Sequence, residues 1–266
     1  MQILIPMAGK GSRFIRDGYT LPKPLIPISG NPMILNVIDD IPKGTKYIFL
    51  IQKKDLKKYR IDLVIKSKIK DAIIISVDGV TQGQASTCLL AKDYLEDDEE
   101  LFIASADNGL LFDYKKFANL KNQNDCIIFT FTHDKKLISN PNSWGWCKIN
   151  ESNEILDISV KTPISDNPFK DHAITGNFYF KKCKEFIESA QKMIREDHRV
   201  NDEFYVDSVP LFMKEKKISI FDVDLYVGWG KPKDLYEYQE KEYYYKFAKD
   251  KLDSIWIKYF EDKNEN

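Results

Sequence analysis

An apolar run, Ile3-Leu4-Ile5, feeds directly into Pro6-Met7-Ala8-Gly9-Lys10-Gly11-Ser12-Arg13-Phe14. Such a run reads as a buried parallel strand. The turn after it must then lie at the strand's carboxyl end. Gly9 and Gly11 let the backbone turn tightly and approach a ligand closely. Exposed N–H groups in a turn of this kind cradle anions. Arg13 contributes charge, as does Lys23 in a second basic turn, Leu21-Pro22-Lys23-Pro24-Leu25. Both are cations that a polyphosphate would need. An ordinary strand-to-loop glycine turn would not bring two cations and two prolines with it.

Two common phosphate motifs are excluded. A P-loop requires G-x-x-x-x-G-K-[ST], but Gly11 follows Lys10. The dinucleotide fingerprint G-x-G-x-x-G fails because Phe14 occupies its last glycine. What remains is G-x-G-S-R at 9–13 followed by P-K-P at 22–24. This resembles the signature of the nucleotidyltransferases that join an NTP to a phosphorylated small molecule. Sugar-1-phosphate nucleotidylyltransferases are the best-known members. The resemblance is dense from Ile5 to Ile34, then thinner, but in order over most of the chain.

The 266 residues suffice for one large α/β domain or two small ones. A formal net charge of -1 argues against a general nucleic-acid binder, which would be basic. No apolar run reaches the length of a membrane span, and the chain opens on a strand, so neither membrane nor signal peptide is expected. Cys88, Cys126, Cys147 and Cys183 are scattered. They suit reduced thiols in a cytoplasmic protein, with no zinc site. His133, His172 and His198 stand far apart.

Strands are expected at 47–51, 73–77, 101–104 and 126–132, with helices at 32–40, 54–68 and 85–95 between them. This alternation predicts an α/β fold with a doubly wound, mostly parallel, Rossmann-like sheet. In such sheets ligands sit at the carboxyl ends of strands, where the glycine loop and Asp107 both fall. From Trp144 the pattern shifts to short strands at 146–149, 154–160 and 173–180. Helices at 182–197 and 202–214 follow, then a strand over 218–227. We expect a single domain over 1–230. Residues 1–135 form its nucleotide-binding half and 136–230 a β-rich acceptor-binding half on the same sheet. Residues 231–266 should form a C-terminal helical segment. Tyr236, Tyr243, Phe247, Trp256 and Phe260 could stripe that segment, either packed on the body or at a homo-oligomer interface.

The resemblance implies roles for particular residues. It places nucleotide phosphates on Ala8, Gly9, Gly11 and Ser12. Arg13 and Lys23 become catalytic cations, and Asp107 a Mg²⁺ ligand. The family's second aspartate falls at Gly228, a departure that leaves Asp224 as a substitute. Thr81-Gln82-Gly83 resembles a base-binding turn, with Gln82 and Gly83 against the base. Asp78 stands where related chains carry a glutamine. A carboxylate accepts from the cytosine amino group and repels a uracil or thymine carbonyl, which points to CTP over UTP or dTTP. Ser143-Trp144-Gly145-Trp146 resembles the turn bordering the acceptor, although either tryptophan could be core. Lys161 resembles the lysine that grips the acceptor phosphate. Val160 replaces the glutamate that holds a sugar hydroxyl. Gly176, Asn177 and Glu203 resemble acceptor contacts.

The reaction implied joins an NTP to a phosphorylated acceptor and releases pyrophosphate. A sugar-1-phosphate is the first expectation, within surface-polysaccharide precursor synthesis. A phosphorylated alcohol, amine or amino acid is the alternative that Val160 suggests. A glycosyltransferase would be expected to carry D-x-D, and Ser105-Ala106-Asp107 lacks the first acid. A non-catalytic nucleotide sensor of the same fold is the remaining reading.

Overall fold

A computed structural model describes residues 1–265; Asn266, the last residue of the expected C-terminal segment, lies outside them. The strands are β1 (Gln2–Met7), a small hairpin of β2 (Pro27–Ile28) and β3 (Asn31–Pro32), β4 (Lys46–Gln52), β5 (Ile73–Val77) and β6 (Leu101–Ile103). There follow β7 (Asn108–Leu111), β8 (Cys126–Phe131), β9 (Gly145–Ile149), β10 (Ile155–Val160), β11 (His172–Phe180), β12 (Ile218–Asp222) and β13 (Leu225–Gly228). Nine of them form one twisted sheet in the order β10-β9-β11-β6-β1-β4-β5, with β8 on β11 and β12 on β8.

The first half of the sheet is parallel throughout: β6, β1, β4 and β5. The second half is mixed, because the long β11 runs antiparallel to β6, β8 and β9. Side chains alternate across β1, so its apolar run feeds two cores. Ile3 and Ile5 pack with Phe49, Phe102, Phe129 and the helix Met33–Asp40. Leu4 packs with Ile48, Ile103, Ala85, Cys88 and the helix Cys183–Arg195. Each fully buried aliphatic of this kind contributes roughly 1.5–3 kcal/mol. The four cysteines are all buried and unpaired.

Some expected elements differ. The helix over 54–68 is two, Lys53–Tyr59 and Ile61–Lys68, broken where Arg60 takes φ 50°. The helix over 85–95 ends at Leu89, and a separate turn follows at Lys92–Tyr94. The helix over 202–214 is only a 3-10 stretch, Val206–Phe212. Asn201 and Asp202 have positive φ there, and Pro210 has no N–H to continue an α-helix. The strand over 218–227 is split between β12 and β13 in different sheets, divided where the Val223 N–H donates to the Thr130 carbonyl at 2.8 Å.

The C-terminal segment forms two helices, Pro232–Phe247 and Ser254–Glu265, folded back on the body. Leu235, Tyr238, Tyr259 and Phe260 are buried. Of the expected stripe, Tyr236, Tyr243 and Phe247 instead stay exposed. The spacing that meets the body is Leu235 with Tyr238, one turn apart on a shared face. Lys263 forms a buried ion pair with Asp40 at 2.8 Å, and the Tyr259 hydroxyl donates to the same carboxylate at 2.8 Å. No helix of the described residues is long and apolar enough to cross a membrane.

Candidate active site

The glycine loop and Asp107 leave adjacent parallel strands, β1 and β6, at their carboxyl ends. Gly9, Gly11 and Ser12 line a cavity of about 340 Å³ together with Arg13, Lys23 and Asp107. Gly11 has φ 61°, in the left-handed region that favours glycine. Ala8 is buried and turned away from the cavity. Its carbonyl accepts a 2.6 Å hydrogen bond from Gln52, which props the loop from beneath.

Lys23 sits in a 3-10 turn with prolines on either side, and its ammonium forms an ion pair with Asp107. The Ser105 hydroxyl donates to Asp107 at 2.6 Å, and the Asp107 carbonyl accepts from the Trp229 N–H at 2.8 Å. Burial alone would raise the Asp107 pKa. The Lys23 charge and hydrogen bond, with Ser105 and Arg13, outweigh it and hold the carboxyl below its usual value.

A larger cleft of about 1250 Å³ opens on the other side. Arg13, Gln84, Asp107 and Gly230 line both spaces and so form their common boundary. Lys161, Gly145 and Gly176 face the larger one. Lys161 has φ 64°, uncommon for a residue with a side chain. Its ammonium donates to the Ser143 carbonyl at 2.5 Å and lies 5.2 Å from the Tyr205 ring. Burial lowers its pKa, with Asp207 acting the other way. The two tryptophans divide. Trp144 borders the cleft edge-on to Phe131 and Tyr226, whereas Trp146 is fully buried.

Other expected residues fall elsewhere. Asn177 is fully buried and does not face the cleft. Its amide oxygen accepts from the Ser105 N–H at 3.1 Å and its amide nitrogen donates to Asn108 at 3.1 Å, so it fixes the Asp107 segment from behind. The pairing register of β11 shifts between Ile174 and Phe178, and Gly176, at φ 84°, is in that bulge against Ser105.

Asp224 does not stand beside Asp107. In the β13–β7 ribbon Gly228 pairs with Asn108 and Leu225 with Leu111. Asp224 is therefore about four residues, or roughly 13 Å, down the ladder. The acid that approaches Asp107 is Asp234: a side chain at Gly230 would meet the Asp107 carboxylate at 3.1 Å and that of Asp234 at 3.9 Å. Asp234 also lies 3.7 Å from where a Gly228 side chain would begin.

Asp78 is mostly exposed, paired with Lys53 at 2.8 Å, and lines neither space. The Gln82 side chain accepts from Arg199 at 3.2 Å. Gly83, at φ 131°, has no room for a side chain because the Phe204 backbone would lie 2.5 Å away. Chain packing therefore accounts for that glycine without a bound base. Glu203 is exposed, beside the Tyr205 hydroxyl.

Asp207 escaped the sequence reading; its only sign was a charge inside Val206-Asp207-Ser208-Val209. Asp234 stands in Gly230-Lys231-Pro232-Lys233-Asp234-Leu235, a stretch that resembles the family's G-T-P-x-D-L, but the resemblance gave it no role. Among the described residues no three His, Cys, Asp or Glu side chains gather to hold a metal. A hard divalent cation here would draw on one or two carboxylates and on substrate oxygens, which suits Mg²⁺.

The family model described as nucleotidyl transferase matches residues 3–243. The bifunctional protein GlmU of Methanocaldococcus jannaschii is 27% identical over 241 residues, covering 89% of this chain and 53% of that protein. A mannose-1-phosphate guanyltransferase of Candida albicans is 24% identical, covering 88% of this chain and 62% of that protein. The chain thus spans between half and two thirds of the length of these relatives. Among solved structures, a nucleoside-diphosphate-sugar pyrophosphorylase from Vibrio cholerae superposes with TM-score 0.72 at 20% identity, covering 90% of this chain and 99% of that one. An inositol-1-phosphate CTP transferase from T. maritima gives 0.67 at 16%, covering 90% and 94%.

Proposed function

This chain belongs to the nucleotidyl transferase family, and from that premise we propose that it joins an NTP to a phosphorylated small molecule and releases pyrophosphate. The observation that carries the reading is the boundary between the two spaces, where Arg13 and Asp107 face both. The smaller space, with the glycine loop and Lys23, takes the nucleotide phosphates. The larger takes the acceptor, its phosphate on Lys161. An acceptor phosphate oxygen attacks the α-phosphorus, the bond to the β-phosphate bridging oxygen breaks, and pyrophosphate leaves. No protein nucleophile is required, so catalysis is positioning and charge stabilisation. Arg13 and the loop amides neutralise the departing pyrophosphate. Lys23 leaves Asp107 for the α-phosphate. Asp107 would hold Mg²⁺, which supplies further neutralisation of the phosphate oxygens.

The acceptor is a sugar-1-phosphate in this reading, in keeping with the names of the relatives, and the product a surface-polysaccharide precursor. The preference for CTP over UTP or dTTP that Asp78 suggested loses its basis, because Asp78 pairs with Lys53 and lines neither space; the relatives' names divide between guanyl and CTP transfer. Pyrophosphate release with Mg²⁺, each NTP and a panel of phosphorylated sugars, alcohols, amines and amino acids tests both levels. Release with one pair supports the transfer and names both the base and the acceptor. Binding of an NTP with no release across the panel contradicts the enzyme reading.

A further inference from the structure

Asp207 is 8% exposed, yet it opens onto the larger cleft beside Gly145 and Lys161. Its position is closely fitted. A side chain at Gly145 would begin 2.3 Å from its Oδ2, so glycine is required there for the carboxylate to reach the cleft floor. Ile174 and the buried Cys147 close the surroundings with apolar surface. The Lys161 charge bears on it, but the Lys161 ammonium is held by the Ser143 carbonyl. Burial raises its pKa, with the Lys161 charge opposing. Its own backbone N–H donates to the carboxylate, and with the neighbouring cation already donating to Ser143 the carboxylate keeps further acceptor capacity at the cleft.

We propose that Asp207 is a specificity-determining residue of the acceptor cleft, a carboxylate that accepts hydrogen bonds from the hydroxyls of a polyhydroxylated phosphate monoester. This rests on the reading of Lys161 as the phosphate anchor. The ionised carboxyl has acceptor capacity only, and its two oxygens suit a vicinal diol. Lys161 takes the charged end of the same ligand, so the pair reads both ends of one small molecule. Inorganic phosphate would use Lys161 alone.

The test is calorimetric binding of mannose 1-phosphate, inositol 1-phosphate, phosphoethanolamine and inorganic phosphate, with and without a non-hydrolysable CTP analogue. Wild-type protein should bind at least one polyol phosphate more tightly than inorganic phosphate. Asp207→Asn should weaken that ligand roughly 10- to 100-fold, the loss expected for a hydrogen bond to a charged group. Inorganic phosphate should change by no more than about twofold. Asp207→Ser, which removes the carboxylate with less bulk, should show the same selectivity if the first variant folds poorly. Equal loss for inorganic phosphate would mean that Asp207 acts only through Lys161 and would overturn the proposal. A wild-type preference for phosphoethanolamine, or no polyol phosphate bound above inorganic phosphate, would overturn it too. Pyrophosphate release is scored separately, so polyol-phosphate binding without turnover would count against the transfer reading and leave this one standing.

Discussion

Lys23 and Asp107 form an ion pair in the free chain, and in the proposed reaction each would take a different partner. The sequence showed both residues but not that they touch. Lys23→Ala should lower kcat by about 10²–10³-fold, the usual cost of losing one oriented electrostatic contact, with the fold intact by circular dichroism. Near-normal turnover would refute its role. Asp107→Asn should raise the Mg²⁺ concentration needed for half-maximal pyrophosphate release, and chelation of the wild type should abolish release; an unchanged Mg²⁺ requirement would remove Asp107 as a ligand. Lys161 has a pKa lowered chiefly by burial. Its charge is lost at a lower pH than that of a free lysine, so kcat/KM for the acceptor should fall early on the alkaline side. The same limb should be absent from kcat/KM for the NTP.

At the scale of elements, the site depends on segments that are not adjacent in sequence. The β11 bulge carries Gly176 against Ser105, and Asn177 ties that segment down. The 80–85 turn is fastened to 199–204 through Gly83 and the Gln82 carbonyl, which accepts from Phe204 at 2.8 Å. Strand positions in the first half were legible because buried parallel strands leave unbroken apolar runs, as at 47–51. The break at Arg60 was not, because positive φ at an arginine leaves no compositional trace; the 3-10 stretch at 206–212 did carry one, Pro210, which the apolar pattern around it masked. The C-terminal helix supplies a pH test. Burial raises the Asp40 pKa to about 6, against the pull of Lys263 and Tyr259. A raised folded pKa in an acid contributes stability below the unfolded value of 3.8 that is lost as pH rises through about 6. The stability of wild type relative to Asp40→Asn should therefore improve by up to about 3 kcal/mol as pH falls from 7.5 towards 4. A difference that stays flat with pH would contradict a buried, titrating Asp40.

At the scale of the whole molecule, one sheet joins a parallel half to a mixed half, and the C-terminal helices pack on β13 beside Trp229. Lys263 lies 5.4 Å from the Trp229 ring, and the Trp229 N–H holds the Asp107 carbonyl. The fold class was readable from the alternation of elements, and the clustering of the glycine loop, Arg13, Lys23 and Asp107 from a local motif. The larger cleft was less legible: Asn177 and Glu203 were expected there from resemblance and Asp224 from the polar face of a strand, whereas Asp207 and Asp234 reach the cleft through long-range packing around glycines. The central claim is attack by the acceptor's phosphate oxygen on the α-phosphorus. Mass spectrometry of the products formed from an acceptor labelled with ¹⁸O in its phosphate tests it most directly. The account predicts all label in the nucleotide conjugate, one labelled oxygen bridging the two phosphorus atoms, and none in pyrophosphate. Label appearing in pyrophosphate or free phosphate, with the nucleotide α-phosphorus untouched, would contradict it.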